Sequence, residues 1–434
     1  MLVLSLTLLF IVVFLLLGMP VAYVFGIGSL GFALLAGKSL GYLVPHAFWQ
    51  LGSFALLSLP LFIISGALMG ASGISDRLVN FINSIVGSIR GALGAVTIIT
   101  CALFGAIAGS GASAIAAIGS IMIPKMVQQG YPRGYATALV GCSSVLALLI
   151  PPSVPMIVFA LAGGLSVAAA FLSTILPGIM IALIYCVINF IYVRRLPGVK
   201  ADVKLEPAER RKLVFSSTRK ASWALMMPVI MLGGIYGGVF TPTEAAAVAL
   251  IYTLPVGFFI YKGLNFKTAS DAIVKGVISI GAIVTMIFFL FIMSRAMILE
   301  QVPQQLSAFL LSLSDNKIFI LLLINLVLIL IGMLVDDVSG SILASIILLP
   351  VATDLGIHPI HFAAIVGTNL GLGNITPPCA PLLYMAGSVG KAQINEYLAP
   401  TLKFLLLGHL PIVLLVTFVP DLALFLPRLL LGLE

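Results

Sequence analysis

Charged residues are scarce in this chain. Only 8% of its 434 residues are Asp, Glu, Lys or Arg, where a soluble globular domain has about 25%, so an ordinary water-covered surface is excluded. Cysteine is also sparse: Cys101, Cys142, Cys186 and Cys379 stand singly in apolar surroundings with no CxxC pair. They read as small buried hydrophobes, and neither a disulfide framework nor a metal site is indicated. No Walker A motif, no HExxH and no nucleophile–base constellation appears, which removes the basis for an ATPase, a zinc protease or another enzyme. The net charge of +8 is no nucleic-acid footprint either, because nine of the 22 Lys and Arg fall between Arg194 and Lys220 without interleaved aromatics.

What is abundant is apolar residues, 61% of the chain, with a mean hydropathy of +1.23. Runs long enough to cross a roughly 30 Å hydrocarbon core recur from end to end. The expected class is an all-α polytopic membrane protein. Met1 to Gly18 has no basic leader or cleavage signal, so it is expected to be a retained first span. Met1 to Leu35 is interrupted at Gly18-Met-Pro20 and is either one kinked span or two segments. Trp49 to Met69 reads as a span with His46 and Trp49 in an interfacial belt. Ser75 to Arg90 reads as a surface helix with Asp76, Arg77 and Arg90 facing water. Leu165 to Val193, Trp223 to Val239, Ala246 to Ile260 and Leu402 to Leu431 read as further spans. Arg194 to Lys220 is the expected cytoplasmic basic loop, and Thr241-Pro-Thr-Glu244 has the order of a capping box.

An offset of 226 links Pro151, Pro152 and Pro155 to Pro377, Pro378 and Pro381. The same offset pairs Ser113 with Ser339, Pro124 with Pro350, Gly130 with Gly356, and Gly141 with Gly367. Proline and glycine make special backbone demands, so their shared register marks a duplicated unit. Each copy has an apolar segment split by polar residues, at Ala108 to Ser113 and at Asp336 to Ser339. Each half is too short to span, so a re-entrant hairpin is expected. Each hairpin is followed by a Pro-Pro-broken helix. Arg90, Lys125 and Arg133 flank the base of the first hairpin; Asp315, Lys317, Asp354, His358 and His361 flank the second. That bias predicts inverted repeats, with the first hairpin opening to the cytoplasm. Asp354, His358 and His361 have metal-ligand spacing but read as surface loop polarity, and Arg295 reads as snorkelling or paired.

A broken helix exposes N–H groups at one end and C=O groups at the other, suiting anions and cations respectively. Polar residues cluster at these breaks: Ser110, Ser113, Ser143, Ser144 and Ser153 in one copy; Asp336, Asp337, Ser339, Thr368, Asn369, Asn374 and Thr376 in the other. Uncharged oxygens with one or two carboxylates fit a Na⁺ site, and N–H groups with hydroxyls fit a carboxylate. A lone hydroxyl in an apolar helix, however, ordinarily bonds the carbonyl one turn back.

Phe104-Gly-Ala-Ile-Ala-Gly-Ser-Gly-Ala-Ser113, Ile123-Pro-Lys-Met126, Gly130-Tyr131, Ile150-Pro-Pro-Ser153, Thr241-Pro-Thr-Glu-Ala-Ala246 and Ile375-Thr-Pro-Pro378, in this order over nearly the whole chain, resemble the large (M) membrane subunit of TRAP transporters. The resemblance implies a Na⁺-coupled, elevator-type importer in the prokaryotic cytoplasmic (inner) membrane. It also implies two partners, a small four-helix membrane subunit expected as a separate chain and a periplasmic or tethered substrate-binding protein. The small organic-anion substrate would be of dicarboxylate, sialic-acid or sugar-acid type. The family's aspartate four residues after a glycine matches Asp336 after Gly332. On this footing the expected Na⁺ ligands are Gly109, Ser110, Ser113 and Ser143 from the first copy, with Asp336, Ser339, Thr368, Asn369, Gly373 and Thr376 from the second. Expected substrate contacts are Ser110, Gly111, Ser113, Ser144, Pro152 and Ser153, with Asn374, Thr376 and Pro378. Two departures, Pro377-Pro-Cys-Ala380 and Gly111-Ala112 at the first tip, leave the substrate open. Residues 1–90 and 165–299, including the basic loop 194–220, are the expected scaffold. Residues 91–164 and 300–390 are the expected transport elements, and 391–434 a C-terminal span. A stand-alone ion-coupled carboxylate carrier of the same plan is the alternative.

Overall fold

The computed structural model describes residues 2–87, 89–196, 198–199, 206–314 and 316–433. Part of the basic loop, Asp315 at the second hairpin base and Met1 of the first span lie outside the described residues. The described chain is helical, and eight of its helices are long and apolar enough to cross a bilayer, or nine if the bent pair around Pro151 counts as one span.

The proline and glycine positions largely dictate where helices stop. Gly18-Met-Pro20 separates two helices, Leu2–Leu16 and Val21–Leu35. They fold back on one another, since a Cβ at Gly28 would lie 3.0 Å from Ile11. The next span starts later than the sequence suggests. His46 and Trp49 belong to a separate helix, Leu40–Leu51, while the span itself runs Phe54–Ala71. Gly52-Ser53 breaks the run although hydropathy carries straight through. Helix Ile74–Val86 buries Leu78, Val79 and Ile82. Its Arg77 does not face water as expected: the guanidinium donates to the carbonyls of Gly73 and Tyr261 and sits 3.9 Å over the Tyr261 ring.

The basic segment is only partly a loop. Its end from Pro207 forms the first turns of a 30-residue helix, Pro207–Tyr236, with Pro207 at the first helical position. Thr241 and Glu244 close a complete capping box, each side chain bonding the other's backbone N–H. Helix Phe266–Leu299 follows. At the C-terminus the span is Ile394–Phe418, and Asp421–Leu431 is a separate short helix, correcting the single run Leu402 to Leu431. His361 is buried, not on a surface loop, with Nε2 2.7 Å from the Val416 carbonyl oxygen.

Both split segments turn back. In the first, helix Ala92–Ala108 ends at left-handed Gly109 and the chain returns through Gly111–Gln128. The Thr97 hydroxyl lies 3.7 Å from Met126 Sδ, bringing the two arm bases together. In the second, Lys317–Leu334 leads to Asp336 and the chain returns through Asp337–Asp354. Each returning arm contains a π-helical turn, Ile115–Gly119 and Ala344–Leu348. In the second arm Ile346, four residues before Pro350, falls inside that turn, where a wider helix relieves the clash between the proline ring and that carbonyl.

Candidate functional site

The four breaks converge. The first hairpin tip touches the first broken helix, with the Val154 N–H donating to the Gly109 carbonyl at 3.3 Å. Any side chain at Gly109 would meet the Pro152 carbonyl oxygen at 2.7 Å. The same tip touches the far half of the second broken helix, where a Cβ at Gly111 would lie 2.9 Å from Leu382 and 3.2 Å from the Ser144 carbonyl oxygen. The two broken helices meet at Gly371 and Val145, and the second tip meets the second break where Gly332 lies against Gly373. The broken helices also exchange partners. Val154–Ala162 packs on the second hairpin, and Ser345 donates to the Phe159 carbonyl. Helix Pro381–Gly390 packs on the first. Neither copy is therefore complete alone.

The polar side chains divide into satisfied and orphaned sets. Ser144 donates to the Gly141 carbonyl, Thr368 to Ala364 and Thr376 to Leu372, all one turn back on their own helices. Ser110 caps the first returning arm by accepting from the Ser113 N–H at 3.5 Å. By contrast, Ser143 Oγ, Ser153 Oγ, Asn369 Oδ1 and Asn374 Nδ2 are buried with no hydrogen-bond partner. Leaving such a group unsatisfied costs about 1–3 kcal/mol. Other orphaned atoms, such as Ser75 Oγ and Thr100 Oγ1, lie elsewhere among the described residues.

Asp336 occupies the N-cap of the second returning arm. Its Oδ2 accepts from the N–H groups of Val338 and Ser339 at 3.1 and 3.3 Å, and Oδ1 accepts from the Ser339 hydroxyl. Asp337 is the first helical residue beyond it. Pro378 is exposed.

One residue was missed by sequence reasoning. Asn325, buried in helix Lys317–Leu334, accepts from Asn369 Nδ2 at 2.6 Å and from the Thr417 hydroxyl at 3.0 Å. It holds Asn369 so that its Oδ1 is left without a donor. Its only sequence signal was an amide inside a very apolar run. A Gly-x-Ser-x-Gly spacing does occur at Gly37 to Gly41, but Ser39 caps a helix that follows another helix. The strand-to-helix turn of a hydrolase elbow is absent there. No cluster of three His, Cys, Asp or Glu side chains that could hold a metal occurs among the described residues.

The sequence model of the family described as "Tripartite ATP-independent periplasmic transporter, DctM component" matches residues 8–422. The isethionate TRAP transporter permease protein DctMQ of Oleidesulfovibrio alaskensis is 35% identical over 413 residues, covering 95% of this chain and 64% of that protein. The C4-dicarboxylate TRAP transporter large permease protein DctM of Pseudomonas aeruginosa is 33% identical over 407 residues, 92% of either chain. Among solved structures, the YdaH transporter of Alcanivorax borkumensis superposes with a TM-score of 0.62 at 17% identity, covering 87% of this chain and 88% of that one. At that identity the likeness is one of fold.

Proposed function

The chain belongs to the DctM component family of tripartite ATP-independent periplasmic transporters, a family of membrane permeases and not of enzymes, and we propose that it imports organic acids by Na⁺-coupled elevator symport. The observation that carries this reading is the meeting of two hairpin tips and two broken helices around orphaned buried polar atoms. Ser143 Oγ and Asn369 Oδ1 are oxygen ligands without a donor. Beside the carbonyl ends of broken helices they suit Na⁺, which takes hard oxygen ligands as other hard cations do. Asn374 Nδ2 and Ser153 Oγ are buried polar groups without a partner; Ser153 is the N-cap of the second half of the first broken helix, and the Asn374 carbonyl accepts from Leu382 N–H at the start of the other second half. They suit the carboxylate of the substrate. Gly109, Gly111, Pro152 and Gly373 contribute close backbone approach, and Asp336 with Ser339 supplies negative charge at the second tip.

In this reading the two copies are inverted repeats. Residues 91–164 and 300–390 move together as the transport body against a frame from 1–90 and 165–299. The exchanged packing supports movement as one piece, because each broken helix is held by the other copy's hairpin. The isethionate and C4-dicarboxylate permeases among the relatives favour a small organic acid. The partners are a small membrane subunit and a periplasmic substrate-binding protein, in the cytoplasmic membrane of a prokaryote.

The test is uptake into proteoliposomes holding this chain and its small subunit under an imposed Na⁺ gradient, with and without the binding protein. Uptake requiring both the gradient and the binding protein is expected. Uptake indifferent to Na⁺ would overturn the coupling, and uptake indifferent to the binding protein would make this a stand-alone carrier.

A further inference from the structure

A cavity of about 200 Å³ lies at the seam between the elements assigned to the frame and those assigned to the moving body. Its polar lining residues all come from one side, among the apolar Leu56, Phe291 and Ile298. His46, Gln50 and Ser53, from helix Leu40–Leu51 and the turn after it, join Ser294 and Arg295 of helix Phe266–Leu299 on the polar side. Leu161 and Ala162, at the end of the first broken helix, and Ile346 of the second hairpin form an apolar side. The sequence reading left Arg295 as a residue that snorkels or pairs. It does neither. Its Nε and Nη2 donate to the Tyr42 hydroxyl at 3.1 and 2.6 Å, which holds the half-buried guanidinium at the cavity. Tyr42 is itself stacked on His46, ring centres 6.2 Å apart.

No carboxylate pairs with Arg295 among the described residues. The nearest acidic residue in sequence, Glu300, is taken by Lys38 at 2.5 Å. A guanidinium presents five donors in a rigid fork matched to a carboxylate. Here it stands with neutral donors around it, since burial and Arg295 itself hold His46 below its ordinary value of 6.5.

We propose that this cavity is a carboxylate-binding subsite, a station that receives the organic acid before it reaches the converging breaks. The inference rests on the reading of the chain as an organic-acid carrier. Leu161 is eight residues beyond Ser153, about 12 Å along the helix, so the two sites are distinct. The cavity is smaller than the ~300–1,000 Å³ that encloses a drug-sized ligand; it takes a small acid, or one end of a larger one. The charge sits on the frame, which also lends Leu56, Phe291 and Ile298, while the moving body contributes apolar residues alone. The acid is therefore held at the fixed side of the seam and meets no competing charge when the body slides.

Two measurements test this. In the wild-type chain with its small subunit in nanodiscs, Arg295 is modified by phenylglyoxal and followed by peptide mass spectrometry. The probes are acetate, succinate, isethionate and N-acetylneuraminate, against chloride at matched ionic strength. At least one acid protects Arg295 at concentrations that leave Arg90 and Arg133 reactive. In uptake, Arg295→Gln raises KM about tenfold or more, the order expected for a lost charge-assisted hydrogen bond, with Vmax within about twofold, and Arg295→Lys restores part of the loss. An acid that is transported yet neither protects Arg295 nor shows an altered KM in R295Q overturns the subsite. Protection without uptake of any acid would keep the subsite and remove the transport reading.

Discussion

Gly373 offers the sharpest test of how closely the second tip and the second break must approach. A methyl at this position would lie 2.6 Å from both Cα and the carbonyl carbon of Gly332, and 2.7 Å from the Ile329 carbonyl oxygen. Comfortable carbon contacts are about 3.5–4.0 Å, so the shortfall is about 1 Å. Every clashing atom is backbone, and no side chain can rotate aside. Helix Lys317–Leu334 must then back away from helix Pro359–Gly373, at the roughly 1–3 kcal/mol typical of overpacking. The displacement falls at the site, because Gly332 is four residues before Asp336 and Gly373 adjoins Asn374. Gly373→Ala should lower the thermal unfolding midpoint by a few degrees and raise the Na⁺ concentration for half-maximal uptake at least tenfold. Gly281→Ala is the control: nothing lies within 4 Å of a Cβ there, so it should be neutral or stabilise by up to about 1 kcal/mol. Wild-type midpoint and Na⁺ dependence in G373A would refute the close approach as a requirement.

Three further outcomes are expected. Because Asp336 caps a helix, Asp336→Ala removes a cap worth about 0.5–2 kcal/mol along with the charge, whereas Asp336→Asn keeps a good capping residue. D336N should retain the wild-type unfolding midpoint while losing Na⁺-driven uptake, and normal uptake would take the carboxylate out of the cation site. Asn325→Leu removes the acceptor of one Asn369 Nδ2 hydrogen, while Thr417 keeps the Val413 carbonyl, and should destabilise by about 1–3 kcal/mol. It should also weaken Na⁺ dependence by letting Asn369 turn; an unchanged midpoint in thermal unfolding would speak against the triad. His46 is held below 6.5 by burial and by Arg295, so the unfolded chain takes up this proton more readily than the folded one. Its contribution to stability is full above pH 6.5 and is lost as pH falls below it. Arg295→Gln should move the His46 titration upward by NMR, and an unmoved titration would show that the guanidinium exerts no field there.

How far the sequence speaks for itself depends on which residues do the speaking. Proline and glycine act through backbone geometry, so Pro151, Pro377, Gly109 and Gly18 mark true breaks regardless of what surrounds them. Hydropathy cannot see a break in an apolar run, and for that reason Gly52-Ser53 and the joint after Phe418 passed unnoticed. Nor does charge exclude helix, as the turns from Pro207 show. Contacts between the copies, such as Gly111 against Leu382, are set by tertiary packing and leave no local trace. Site chemistry is harder still. Ser143 and Ser144 are neighbours of the same type in the same helix, about 100° apart around its axis. Ser144 spends its hydroxyl on the Gly141 carbonyl, and Ser143 finds no partner. Only their surroundings distinguish them, and those surroundings are assembled from the other breaks. A ligand at Ser143 is thus a property of the assembled junction, which predicts that substitutions closing any one break should impair binding at the others.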